Sequence, residues 1–193
     1  MPELSSIDVV ADAAQAEGFD FAGVSSPDGA ITLLLVDVEN LEELRESLGE
    51  GRALGLVEDY AGLVRKLVET HFGSVVKSEG DGFMCAFASA HSGVRCAIEI
   101  QRTFAGGADD ERPRVRSGLH SGFVIEKSDQ FMGRNVVLAA RIANHAKGGE
   151  ILVSSSTHEY TSTDASLEFE PRGEVHFKGV LGEHLLHAVR WAP

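Results

Sequence analysis

The chain predicts an α+β fold, with helices packed on a mixed sheet, on three observations. The run Ile31-Thr32-Leu33-Leu34-Leu35-Val36 is unbroken, apolar and rich in β-branched residues, so it reads as a strand buried on both faces. Between Val75 and Phe87 two apolar strands flank Gly80-Asp81-Gly82, the composition of a tight hairpin turn. Helical stripes and short strands then mix along the chain instead of alternating regularly. A doubly wound parallel sheet is the other architecture such a mixture suggests, and the hairpin argues against it.

Taken in order, residues 1–29 read as an N-terminal arm with a short helix around Val9 to Ala16, ending in the turn Pro27-Asp28-Gly29. The domain proper then spans residues 30–193. After its first strand, Leu41, Leu44 and Leu48 mark a short helix that Gly49 and Gly51 interrupt. Leu56, Tyr60, Leu63, Val64 and Leu67 fall on one stripe of a longer helix. Beyond the hairpin, Ser89 is placed to cap a helix with Val94, Ala97, Ile98, Gln101 and Phe104 along one face. Gly106 to Asp110 is a polar break. Arg114 to Ile125 reads as a strand, with Gly118 and Gly122 where another backbone can approach closely. Gly133 opens a helix from Asn135 to Lys147, closed by Gly148-Gly149. A strand at Ile151 to Val153 follows, then a small β-rich extension with strands near Leu167 to Phe169, Val175 to Lys178 and His184 to Val189.

Length and charge narrow the function. A chain of 193 residues with 43% hydrophobic content can bury one real core. Its formal charge of -13 repels nucleic acid and anionic membrane, so a nucleotide would need a local basic pocket or a metal. Cys85 and Cys96 lie inside apolar patterns rather than at metal-ligand spacing, and read as free thiols in a reducing compartment. With no apolar run of membrane-spanning length and no signal-peptide pattern at the N-terminus, a cytoplasmic location is expected.

Two aspartates carry the chemistry. Asp37 ends the buried strand and Asp81 sits in the hairpin turn. Each alone has an ordinary structural explanation, as a cap or as a turn residue. If the hairpin pairs beside the strand, the carboxylates converge, and two clustered carboxylates repel unless one is protonated or a cation lies between them. Such oxygen ligands suit Mg2+ or Mn2+, ions that usually arrive with substrate phosphates.

Four segments in order resemble the class III nucleotidyl cyclase domain. They are Thr32 to Glu39; Val76 to Met84; Val115-Arg116-Ser117-Gly118-Leu119-His120-Ser121-Gly122; and Phe131 to Ile142 with Gly148 to Ser154. The resemblance covers the chain from about Pro27 to its C-terminus. It implies a ferredoxin-like mixed sheet and the conversion of ATP to cyclic AMP and pyrophosphate. It also implies two metal ions held by Asp37 and Asp81, with the Val38 carbonyl joining them. Lys77 matches the lysine that binds the purine edge, and Lys178 one near the terminal phosphates. Arg141 matches the arginine that stabilises α-phosphate charge in the transition state. Read from residues alone, Arg141 is a helix-surface ion pair and Lys178 a solvated charge on an edge strand. The family divides the two residue sets between subunits, so the resemblance implies a homodimer with composite sites, controlled through the arm, dimerisation or a regulatory protein partner.

Two positions depart from the family pattern. Gln130 falls where an aspartate usually accepts the adenine amino group, and its carbonyl keeps an acceptor there. Val137 falls where an asparagine is expected, and valine has neither donor nor acceptor. Asn135 lies about 200° round the helix from that position, a poor geometry for replacement. The expectation is a slow cyclase, or alternatively a catalytically silent cyclase-like module that dimerises with or regulates another protein. Guanine is disfavoured because the cationic Lys77 offers no acceptor. A ferredoxin-like RNA-binding sheet is argued against by the charge and by the lack of paired exposed aromatics on the hairpin.

Overall fold

A computed structural model describes residues 4–18, 24, 27–39, 41–105, 113–123 and 129–192, and the backbone alone of 129–132. Strand β1 (Ala30–Glu39) carries the apolar run and is buried along nearly its whole length. Helices α2 (Leu41–Leu48) and α3 (Glu50–Thr70) follow it, separated by Gly49, which adopts a positive φ of 80°. The hairpin is β2 (Gly73–Glu79) and β3 (Gly82–Phe87). Helix α4 (Ala90–Ala105) begins directly after Ser89, whose hydroxyl accepts from the Ser92 N–H. Strand β4 (Arg114–Phe123), helix α5 (Asp129–His145), strand β5 (Ile151–Ser154), helix α6 (Ser155–Thr161) and strands β6 (Glu168–His176) and β7 (Glu183–Arg190) complete the order.

All seven strands form one mixed sheet in the order β2-β3-β1-β4-β5-β7-β6, with β4 and β5 parallel and the other pairs antiparallel. The mixed α+β architecture is therefore as the sequence predicts. The C-terminal strands, expected as a small extension, continue this same sheet through β5. The two strands expected near Leu167 to Phe169 and Val175 to Lys178 are one strand, β6, which runs from Glu168 to His176 and absorbs Pro171 and Gly173 at an irregularity of register. Helix α5 begins earlier than the glycine at 133 suggests, because a single glycine is tolerated inside a helix. The polar break at 106–110 and the end of the fourth predicted strand, Val124 and Ile125, lie outside the described residues.

Alternation along β1 sends its side chains to two separate cores. Leu34, Val36 and Val38 meet Tyr60 and Val64 of α3 and Val94, Cys96 and Ile100 of α4. Ile31, Leu33 and Leu35 point the other way and meet Val136, Ala139, Ala140 and Ala143 of α5. Beside α5, that second face is covered by α1 (Ser6–Glu17), which buries Ile7, Val10, Ala11 and Ala14. Gly118 seats α5 on the sheet: a Cβ there would lie 2.2 Å from the Ala143 backbone nitrogen. Both cysteines are free and buried, and burial pushes both thiols up, Cys96 to about 12.

Candidate active site

Asp37 follows Leu35 on the face that α1 and α5 cover, and it is only 2% exposed. Its antiparallel partner in the register is Arg116 of β4. The guanidinium grips both carboxylate oxygens, Nε to Oδ1 at 2.7 Å and Nη2 to Oδ2 at 2.9 Å. Burial pushes the Asp37 carboxyl above the usual carboxylate range, the Arg116 fork offsets this in part, and the charge of Asp81 adds to the rise.

Asp81 is brought to the same place because β3 pairs with β1, Phe83 opposite Val36. Buried to 2% exposure, its Oδ2 accepts the Val38 N–H at 2.9 Å, and its Oδ1 accepts the Ser6 hydroxyl. Asp37 and Asp81 thus lie at the same end of this face, and Val38 meets Asp81 through its N–H, whereas the resemblance implies a role for its carbonyl. These two carboxylates stand without a third: among the described residues no cluster of three His, Cys, Asp or Glu forms a metal cage. A pair is what an ion that retains waters and substrate phosphates needs from the protein. The Arg116 fork seated on Asp37 already balances one of the two charges.

Arg141 projects from α5 toward α1. Its Nη1 lies 3.3 Å from Asp8 Oδ1, while its Nε is buried with no hydrogen-bond partner. One turn further, Asn144 links the two halves of the site. Its Nδ2 donates to Asp8 at 3.0 Å, and its Oδ1 accepts from Arg116 at 3.2 Å and from the Ser5 hydroxyl at 2.7 Å. Asp37 and Arg141 therefore belong to one network through Arg116, Asn144 and Asp8 without touching.

Lys77 reaches this face through a β-bulge. Val75 pairs with Cys85 and Lys77 with Met84, so Val76 is the extra residue and Lys77 takes the side of Met84, in the α1 and α5 core. There its Nζ pairs with Glu17 of α1 at 2.7 Å. Lys178 is not brought in; it is exposed in the turn after β6, beyond Phe177, which packs on the outer side of α5. The side chain of Gln130 lies outside the described residues, its backbone in the first turn of α5. Val137 is half-buried on α5. Asn135 is committed elsewhere: it accepts from His120 Nε2 at 3.1 Å and donates to the Phe123 carbonyl. That fixes His120 with Nδ1 as acceptor for the Ser154 hydroxyl, and burial lowers its pKa to about 4.

Sequence reasoning missed Arg116, Asn144 and the polar residues of α1. A basic residue inside the otherwise apolar strand Val115-Arg116-Ser117-Gly118-Leu119 was a usable signal for the first. For Asn144 the signal was its place three residues after Arg141 on one helical face. Nothing local marks Ser6, Asp8 and Glu17 as more than a polar helix surface.

The model of the adenylate and guanylate cyclase catalytic domain matches residues 24–189. The chain belongs to this family. An uncharacterised protein of Mycobacterium tuberculosis is 33% identical over 134 residues, 68% of this chain and 45% of that protein. A receptor-type adenylate cyclase of Trypanosoma congolense is 27% identical over 196 residues, 78% of this chain and 26% of that protein. The chain thus spans less than half the length of these curated relatives. Among solved structures, a Trypanosoma brucei adenylate cyclase in its monomeric state superposes with TM-score 0.77 at 21% identity, covering 89% of this chain and 94% of that one. The adenylyl cyclase CyaB of Pseudomonas aeruginosa gives 0.72 at 20% identity, covering 85% and 95%. At such identities the likeness is one of fold, and the cyclase domain's seven-stranded sheet matches it. Among the described residues no helix is long and apolar enough to cross a membrane.

Proposed function

We propose that this class III cyclase domain converts ATP to cyclic AMP and pyrophosphate, slowly, in a homodimer whose two composite sites are shared between subunits. The observation that carries the reading is the convergence of two buried carboxylates, Asp37 and Asp81, on one face with Arg116 and Arg141. The reaction forms a bond from the ribose 3'-oxygen to the α-phosphorus and breaks the bond to the leaving pyrophosphate, with loss of the hydroxyl proton. Asp37, Asp81 and the Val38 carbonyl would hold two Mg2+ or Mn2+ ions. Bound there, the ions would activate the hydroxyl and neutralise triphosphate charge. Arg116, whose fork grips Asp37, stands on the same face as a charged donor suited to an anion. The unpartnered Nε of Arg141 leaves donor capacity for a phosphate oxygen. Lys77 faces the purine edge, Gln130 supplies a carbonyl acceptor for the adenine amino group, and Lys178 meets the terminal phosphates; with Arg141 they form the half of each site that one subunit offers to the Asp37 and Asp81 of its partner.

Val137 sets the rate. Without an amide at that position the turnover falls roughly two to three orders of magnitude below a site that has one, by analogy with a lost transition-state donor. Purified protein incubated with Mn2+ and ATP yields cyclic AMP above an Asp37→Asn control; equal amounts from both proteins sink the proposal. The same valine favours a second reading, a silent module in which nucleotide binds without turnover and a partner is regulated. Product formation that depends on Asp37 excludes it. Within a cell, the charge of -13 and the free thiols fit a cytoplasmic enzyme that binds neither nucleic acid nor membrane.

A further inference from the structure

We propose that α1 is a cap acting in cis, which holds the nucleotide face closed until Mn2+-nucleotide displaces it; the inference rests on the cyclase reading of that face. Three polar residues of this helix engage residues of both half-sites that one subunit contributes, the metal half at Asp81 and the purine and phosphate half at Arg141 and Lys77. Ser6 donates to Asp81, Asp8 pairs with Arg141, and Glu17 pairs with Lys77. Two of those contacts are carboxylates set on cations that the reading reserves for substrate, so the helix mimics the charge of what it excludes. The third takes a lone pair of a metal-binding aspartate.

Space beside Asp81 agrees with the charges. A Cβ on Gly82 would lie 2.5 Å from the Ser6 carbonyl oxygen and 2.8 Å from its carbon. The α1 backbone thus lies directly against the turn that carries Asp81, an approach that only a glycine at 82 permits. Its hold suits a removable part. The buried anchors are Ile7 and Val10 with two alanines, a small apolar area for a helix of 12 residues. Released, a segment of that length is only marginally helical in water. The Arg141 Nε left without a partner shows that the cap satisfies this guanidinium incompletely, whereas a phosphate brings further acceptors.

Two variants lift the helix by different means. Gly82→Ala wedges it off by contact, and Ser6→Ala/Asp8→Ala/Glu17→Ala removes the polar ties while keeping every apolar anchor. Binding of a fluorescent ATP analogue with Mn2+, cyclic AMP formation, and amide exchange of α1 are measured on the full chain. We expect both variants to bind about tenfold tighter than wild type, the order that one or two weak ion pairs supply. In the wild type, saturating Mn2+-ATP accelerates exchange of the α1 amides. Nucleotide that binds with α1 exchange unchanged overturns the cap, as does affinity that both variants leave the same or weaken. Tighter binding with faster exchange but no cyclic AMP keeps the cap and removes the catalytic reading. Cyclic AMP made with the same KM by wild type and both variants keeps the catalytic reading and removes the cap. Should either variant fail to fold, the wild-type exchange experiment decides.

Discussion

Helices α3 and α4 cover one face of the sheet and α1 and α5 the other, and the two faces are made of different material. Tyr60, Phe83, Phe87 and Ile100 interlock with branched aliphatics on the first, and Tyr60 meets Phe83 edge-on at 5.8 Å between centroids. On the second, five alanines from α1 and α5 meet the strands, and the buried charges Asp37 and Asp81 lie at its end. Large interdigitated side chains bury more area per contact and fix one arrangement. Small ones slide and separate at lower cost. The first face therefore holds the domain together, while the second carries chemistry and a helix that can leave.

Truncating one side chain on each face should have unequal effects. Phe87→Ala on the α3 and α4 side is expected to lower global stability by about 3–5 kcal/mol in urea unfolding. Ile7→Ala on α1 is expected to speed amide exchange in that helix while the urea midpoint moves far less. Equal global losses would mean that α1 is as integral as the far core.

Acid is the next largest lever. His120 stands at the other end of the α5 face, and its folded pKa of about 4 lies below the ordinary 6.5. A depressed value contributes stability that is complete above 6.5 and lost as pH falls toward 4, about 3 kcal/mol in all. Asp37 has the opposite sign: its raised value contributes stability at low pH that is lost as pH rises through it, so it does not drive acid unfolding. Urea midpoints measured between pH 7 and pH 4 should fall steeply in wild type and more gently in His120→Gln.

Within the site, Val137→Asn should raise cyclic AMP turnover by about tenfold to a hundredfold, part of the loss ascribed to the missing amide. An unchanged rate would show that α5 does not present residue 137 to the substrate. The smallest effect belongs to the far face. The Tyr60 hydroxyl is buried and unpartnered, so Tyr60→Phe should change stability by less than about 1 kcal/mol, with stabilisation the expected sign. A loss of several kcal/mol would reveal a polar role within this apolar packing.

Much of the fold was legible because its signals are local. The strand at 31–36, the hairpin around Asp81 and the stripes of α3 and α4 depend on periodicity and turn chemistry that neighbouring residues carry. Helix α6 was not foreseen, because Ser155 to Thr161 has no apolar stripe; it starts from Ser154, whose hydroxyl caps the Thr157 N–H. A helix near Val9 to Ala16 was foreseen, but not where it docks. Docking depends on Gly82, on alanines in α5 and on ion pairs to residues 60 or more positions away, and no local window contains them.

That one carboxylate ends a buried strand and another turns a hairpin follows from the residues alone, since alternation and turn preference act over a few residues. What stands around them was set by packing between distant segments. Antiparallel pairing of β1 and β4 placed Arg116 on Asp37, and the bulge at Val76 moved Lys77 to the face of Met84. The same packing laid α1 across both. Such choices follow from strand register and close approach of distant backbones, which arise only when the whole sheet forms.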